Sequence, residues 1–117
     1  MPHLCRVVVQ DNVRVMELEL QMIVDSAEFD RVHEAVIAAA NEAPSERWVL
    51  DVSQVRYIGS AMLGLLVNLR QRIKSGGGKL VLCGLSAQLS KALTATSLHT
   101  LFTTTETRAH ALRLAGR

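Results

Sequence analysis

The chain has 117 residues, the usual size of one domain, and 49% of them are hydrophobic, enough for one real core. Its 13 basic and 11 acidic residues leave a net charge of +2, and only 3% are aromatic, which excludes both a basic nucleic-acid surface and a stacking platform for bases. No apolar run approaches the ~20 residues of a membrane span, and MPHLCRVVVQ lacks the basic start and long apolar stretch of a signal peptide, so the chain reads as soluble and cytoplasmic, with no membrane insertion.

Residues 5–9 (CRVVV) are short and β-branched, as in a strand. Asp11-Asn12 is a turn signal. Residues 13–20 (VRVMELEL) alternate through Val13, Val15, Leu18 and Leu20, with a slip at Met16-Glu17. The pair predicts a β-hairpin whose second strand is half-exposed. Asp25, with Glu28 three residues on, then opens a helix in the manner of a capping box. Phe29, Val32, Val36, Ile37 and Ala40 recur at helical spacing until Pro44. His33 sits at the edge of that stripe and reads as a boundary residue.

The nearly continuous apolar run at 47–52 (RWVLDV) predicts a buried parallel strand, with 53–58 as a connection. From Ser60, the residues Met62, Leu63, Leu66, Leu69 and Ile73 mark an amphipathic helix that ends at Ser75 and Gly76-Gly77-Gly78. Residues 79–84 form another apolar strand. Ser86 caps a short helix carrying Leu89, Ala92 and Leu93. Residues 100–103 read as a last short strand, and Thr105-Glu106 opens a final helix with Ala109, Leu112 and Arg113. The order is β-β-α-β-α-β-α-β-α. It predicts an α/β fold in one domain, 1–117: a small, mostly parallel mixed sheet with an N-terminal β-hairpin.

Several chemistries fail on mechanics. Cys5 and Cys83 each sit in an apolar run and read as reduced core thiols; no Cys/His cluster offers a metal site, and no cofactor is expected. The GGGK at 76–79 follows a helix and opens a strand, the reverse of a phosphate loop. Asp51 at a strand end resembles the acceptor of a receiver domain, but the acidic residues that hold a magnesium ion there are missing. Around Ser60 the nucleophile elbow GxSxG is absent.

Ser60 keeps two readings. Serine is a preferred N-cap, whose oxygen satisfies an orphan N–H group. Equally, a helix start tolerates a phosphate through its free N–H groups and dipole, while nearly two added negative charges repel a partner packed on the hydroxyl.

The stretch VLDVSQVRYIGSAMLGLLVNLRQRIKSGGGKLVLCGLS (49–86) resembles STAS domains, in particular the bacterial anti-sigma factor antagonists. Their pattern D-[LV]-S-x-[VL]-x-x-[IM]-D-S-[ST]-G-[LM]-G is met at Asp51, Val52, Ser53, Val55, Ile58, Ser60, Leu63 and Gly64. Upstream, Asp25 fits the family's typical aspartate before the first helix; downstream, LSKALTATSLHTLF is similar to its third helix and last strand. The resemblance implies a binding module rather than an enzyme, acting in signalling that regulates transcription. Such antagonists hold a serine kinase that is also an anti-sigma factor, release it once phosphorylated at the helix start, and are reset by a phosphatase.

Ser60 matches that phospho-acceptor. Asp25, Asp51, Ser53, Gly59, Ala61 and Met62 are then expected on or near the binding face. The chain departs from the pattern at three of these: Gly59 replaces an aspartate, Ala61 a second hydroxyl and Met62 a glycine. An exposed Met62 favours this reading; a buried one is only core. The alternatives are a STAS scaffold that is never phosphorylated, from a stress-signalling complex or a transporter, and a small serine-dependent enzyme. The last requires a polar pocket with a histidine within reach of Ser60.

Overall fold

The computed structural model describes residues 5–20, 26–56 and 59–117. Strands β1 (Cys5–Gln10) and β2 (Val13–Leu20) form the predicted antiparallel hairpin. Asp11 and Asn12 both have positive φ, 54° and 63°, the conformation of a two-residue turn whose twist matches that of its strands. Helix α1 (Ser26–Glu42), strand β3 (Arg47–Val55), helix α2 (Ser60–Ser75), strand β4 (Lys79–Cys83) and helix α3 (Ala87–Ala95) follow, then a 3₁₀ turn (Leu98–Leu101), strand β5 (Thr103–Thr105) and helix α4 (Arg108–Ala115). The sheet order is β1-β2-β3-β4-β5, parallel from β2 onward. This is the α/β architecture that the element order predicts.

The sheet separates two apolar layers. On one side Met16, Leu18, Leu20, Trp48, Leu50 and Val52 pack against α1, α2 and α3. On the other, Val13, Val15, Val49, Val81 and Cys83 pack under Ala111, Leu112 and Ala115 of α4. This explains the slip at Met16-Glu17. The pleat of β2 continues unbroken, but its buried side changes from the α4 layer to the α1 layer. β2 is an inner strand covered on both faces, not the half-exposed strand that the alternation predicts.

Three further boundaries differ from the expected ones. β3 extends to Val55, because Ser53 and Gln54 belong to a bulge: Glu17 and Glu19 of β2 face Asp51 and Gln54, one residue more on β3 than on β2. The last strand is Thr103–Thr105 rather than 100–103. Ser97, at φ 61°, turns the chain into the 3₁₀ segment, and Phe102 packs toward the α1 layer. The final helix begins at Arg108, capped by Thr107 Oγ1, which accepts from His110 N at 3.1 Å. Its buried stripe is therefore Ala111, Leu112 and Ala115, with Ala109 and Arg113 exposed.

The capping predicted for α3 and for the end of α2 holds. Ser86 Oγ accepts from Leu89 N at 3.1 Å, and Gly76 and Gly77 close α2, Gly77 at φ 83°. Cys83 is buried, which together with the Asp51 charge pushes its thiol up to about 12. Cys5 is only partly buried, and burial pushes its thiol up to about 11. Among the described residues no helix is long and apolar enough to cross a membrane.

Candidate partner-binding site at the start of α2

Parallel strands β2 to β5 all end on one edge of the sheet, where the loops entering α2 and α3 collect. The end of β3 is held there by Arg56 N, which donates to Leu20 O at 2.7 Å. Gly59 follows in an extended conformation, φ −157° and ψ 176°, and is the N-cap of α2. Its carbonyl accepts the first helical bond, from Leu63 N at 3.1 Å.

Ser60 is thus the first residue inside the helix, not its cap, and the N-cap, Gly59, makes no side-chain cap hydrogen bond. The capping role open to Ser60 from sequence is corrected by this one-residue offset. Ser60 and Ala61 are exposed and Gly59 is half-buried. Gly64, one turn on, is exposed as well, and a Cβ there would meet nothing within 4 Å. The first turn carries no acidic residue. Gly59, Ser60 and Ala61 thus present a small, uncharged first turn at the positive end of a helix.

Met62 is fully buried, 0% exposed. It starts the inward stripe continued by Leu65, Leu66, Leu69 and Ile73, so its expected place on the binding face is corrected: it is core. Asp25 lies outside the described residues, as do Tyr57 and Ile58.

Asp51 and Ser53 face the α4 side of the sheet and are engaged with each other. Asp51 Oδ1 accepts from Ser53 N at 3.0 Å and from Ser53 Oγ at 2.7 Å. Asp51 Oδ2 receives Arg108 Nη1 at 3.5 Å, and its side chain is 15% exposed. The carboxylate fixes the bulge of β3 beneath the edge. Gly84, at the end of β4, completes this arrangement: it has φ 77°, and a Cβ there would stand 2.8 Å from that of Ser53.

One rung runs across the whole sheet here: Arg6, Glu17, Asp51, Cys83 and Thr105 are successive partners on β1 to β5. Arg108, from the start of α4, lies over it. Its Nη1 meets Glu17 Oε2 at 2.6 Å and its Nε donates to Gln10 Oε1 at 3.1 Å. Arg6 Nη2 holds the other Glu17 oxygen at 2.8 Å. Hydrogen bonds from Arg108 first, then Arg6, hold the Glu17 carboxyl below its usual range, and Glu17 in turn raises Arg108. Sequence reasoning missed Glu17, Arg108 and Gly84. Only Glu17 left a trace, as the charge at the slip in β2.

His33 is paired with Asn68 Nδ2 at 3.0 Å. Asn68 is eight residues along α2 from Ser60, about 12 Å at the helical rise. His99 and His110 lie on the 3₁₀ turn and α4, and both are exposed.

Residues 6–111 match the family model of the STAS domain. The chain belongs to the STAS family. No curated protein matches it. Among solved structures, a STAS anti-sigma-factor antagonist domain protein from Planctomyces limnophilus is similar at 25% identity and TM-score 0.84, covering 97% of this chain and 98% of that one. A putative anti-sigma factor antagonist from Thermotoga maritima is similar at 22% identity and TM-score 0.82, covering 98% and 97%. The Bacillus cell-fate determinant SpoIIAA in its phosphorylated form shares the fold at 15% identity and TM-score 0.65, covering 93% and 96%.

Proposed function

We propose that this STAS protein is an anti-sigma factor antagonist that binds an anti-sigma serine kinase through the start of α2, and that phosphate on the Ser60 hydroxyl releases the partner. The observation that carries this is the exposure of Ser60 at the first position of a helix whose N-cap, Gly59, makes no side-chain cap hydrogen bond. A phosphate at that position meets uncapped N–H groups and the positive helix end, so the fold accommodates it. The uncharged first turn becomes strongly anionic, which repels a partner fitted to Gly59, Ser60 and Ala61. That SpoIIAA, which shares this fold, exists in a phosphorylated form supports the reading. A phosphatase that removes the group completes the cycle. Asp51 and Ser53 serve by shaping the edge beneath the surface.

The test is intact mass and peptide mapping after incubation with ATP and the serine kinase of the same organism, alongside binding of that kinase to the Ser60→Ala and Ser60→Asp variants. The expected result is one phosphate on Ser60, retained binding for Ser60→Ala, and binding at least tenfold weaker for Ser60→Asp with an unchanged melting curve. A Ser60→Asp variant that binds like the wild type overturns the switch. A stable complex without phosphate transfer identifies an antagonist that is not switched at this residue.

A further inference from the structure

The two edges of the sheet are built differently. β5 is three residues long and offers little to another strand. β1 has six, and its register with β2 runs through six consecutive pairs without a bulge. Among the described residues no strand lies on its other side. Edges of this length are ordinarily blunted by proline, lysine, a bulge or an inward charge. CRVVVQ contains no proline or lysine, and its one charge, Arg6, turns along the sheet to Glu17. Val7 and Val9, alternate residues on one face, are 37% and 67% exposed. They stand beside Met16 and Arg14 of β2 on the α1 side, where Met16 is buried and the Arg14 guanidinium lies 6.0 Å from the Trp48 ring centroid. The apolar layer therefore continues outward past the last strand.

We infer that β1 pairs antiparallel with β1 of a second copy of the chain, joining two five-stranded sheets across a two-fold axis at Val8. A two-fold perpendicular to the sheet keeps every side chain on its own face, so the axis passes through a residue and not between two. An axis at Arg6 sets like charges directly opposite, which is destabilising. An axis at Val7 puts the two Arg6 residues on one face at roughly 8 Å, within the screening length of about 8–10 Å. An axis at Val8 separates them to about 14 Å and places each Arg6 opposite the amide of Gln10. It also sets Val7 opposite Val9 in both directions, so that four valines form one patch, two rungs deep, with Met16 of each copy beside it. Charge separation and side-chain matching favour this register over the axes at Arg6 and Val7.

The geometry leaves the start of α2 free. Pairing β1 with its copy makes the parallel strands of the two molecules run in opposite directions, so the two carboxyl edges face opposite ends of the joined sheet. The dimer presents two separate partner surfaces, whatever the modification of Ser60.

Sedimentation velocity on the full chain, from about 5 µM to about 1 mM, spans the range in which small interfaces dissociate. The average mass is expected to rise from 12.8 kDa toward twice that value. In the double variant Val7→Lys, Val9→Lys, folded by circular dichroism, dimerisation should weaken at least tenfold. Register is read from cysteines placed in a Cys5→Ser, Cys83→Ala background. Val8→Cys should oxidise to a disulfide-linked dimer, because antiparallel partners stand within disulfide range. Val7→Cys should do so only when mixed with Val9→Cys. A wild type that stays monomeric at 1 mM overturns the inference, including the case in which the edge serves a strand of another protein. So does a dimer indifferent to the lysines, or self-linking of Val7→Cys in place of Val8→Cys.

Discussion

At the scale of single residues, the glycines of the edge separate structural need from surface need. Gly84 is required by the fold: its φ of 77° and the Ser53 Cβ at 2.8 Å both exclude a side chain. Gly84→Ala should destabilise by about 2 kcal/mol or more, from left-handed strain plus overpacking. Urea unfolding followed by Trp48 fluorescence measures this, and adding Ser53→Gly should restore only the part due to the clash. Gly64 is the opposite case. It lies within α2, exposed, with open space where its Cβ would be. An interior helical glycine is less stable than alanine by about 1 kcal/mol, so Gly64→Ala should raise stability by up to that amount. If the start of α2 is the partner surface, the same variant binds more weakly, because the added methyl stands one turn from Ser60. A variant that is both more stable and equally tight in a titration with the kinase removes Gly64 from the surface. Gly59 belongs to neither class. Its extended backbone suits any residue, and glycine as an N-cap is only a few tenths of a kcal/mol below aspartate.

At the scale of elements, the charged rung ties α4 to the strands, and its acid sensitivity has a definite sign. The Glu17 carboxyl titrates below its ordinary 4.5 in the folded protein because Arg108 and Arg6 bond its ionised form. The folded state therefore binds fewer protons than the unfolded chain in that region. The stabilisation is fully present above about pH 4.5 and is lost as the pH falls through the lower folded value. Urea midpoints measured from pH 7 to pH 3 should decline below pH 4.5 in the wild type and decline less in Glu17→Gln. An identical acid limb in the two proteins assigns the loss to other carboxylates.

The same rung shows which parts of the structure were legible in the sequence. Local patterns identified the hairpin turn at Asp11-Asn12, the Ser86 cap, the α2 stripe and the glycine turn after it, because each is decided within a few residues. The family pattern is what singled out Ser60 as the expected phospho-acceptor. Glu17, Asp51 and Arg108 are joined only by the register of β2 and β3 and by the return of α4, so no short window contains them. Asp51 was visible as an acid at a strand end, but its bond to Ser53 depends on the bulge. Met62 shows the limit of motif matching. Its alignment position indicated surface, whereas its helical spacing with Leu66, Leu69 and Ile73 places it in the core.

At the scale of the molecule, the two apolar layers are unequal. Three helices cover one side of the sheet, with Trp48 locked by its Nε1 hydrogen bond to Ala43 O at 2.9 Å. The other side rests on α4, eight residues long with three buried. A helix that short is not stable by itself in water. It is held by Ala111, Leu112 and Ala115, by Arg108 on the rung, and by Lys79 Nζ, which donates to Leu114 O at 2.6 Å. Local opening follows the density of buried contacts, so α4 should open before the central strands do. Native-state hydrogen exchange is expected to show α4 amides protected less than those of β2 and β3. Arg108→Ala should lower protection in α4 and at the adjoining end of β3 while leaving α1 unchanged. That pattern would make α4 a semi-independent cover over Val13, Val15, Val49 and Val81. Equal protection of α4 and β3, falling together in Arg108→Ala, would instead mean that both layers open as one cooperative unit.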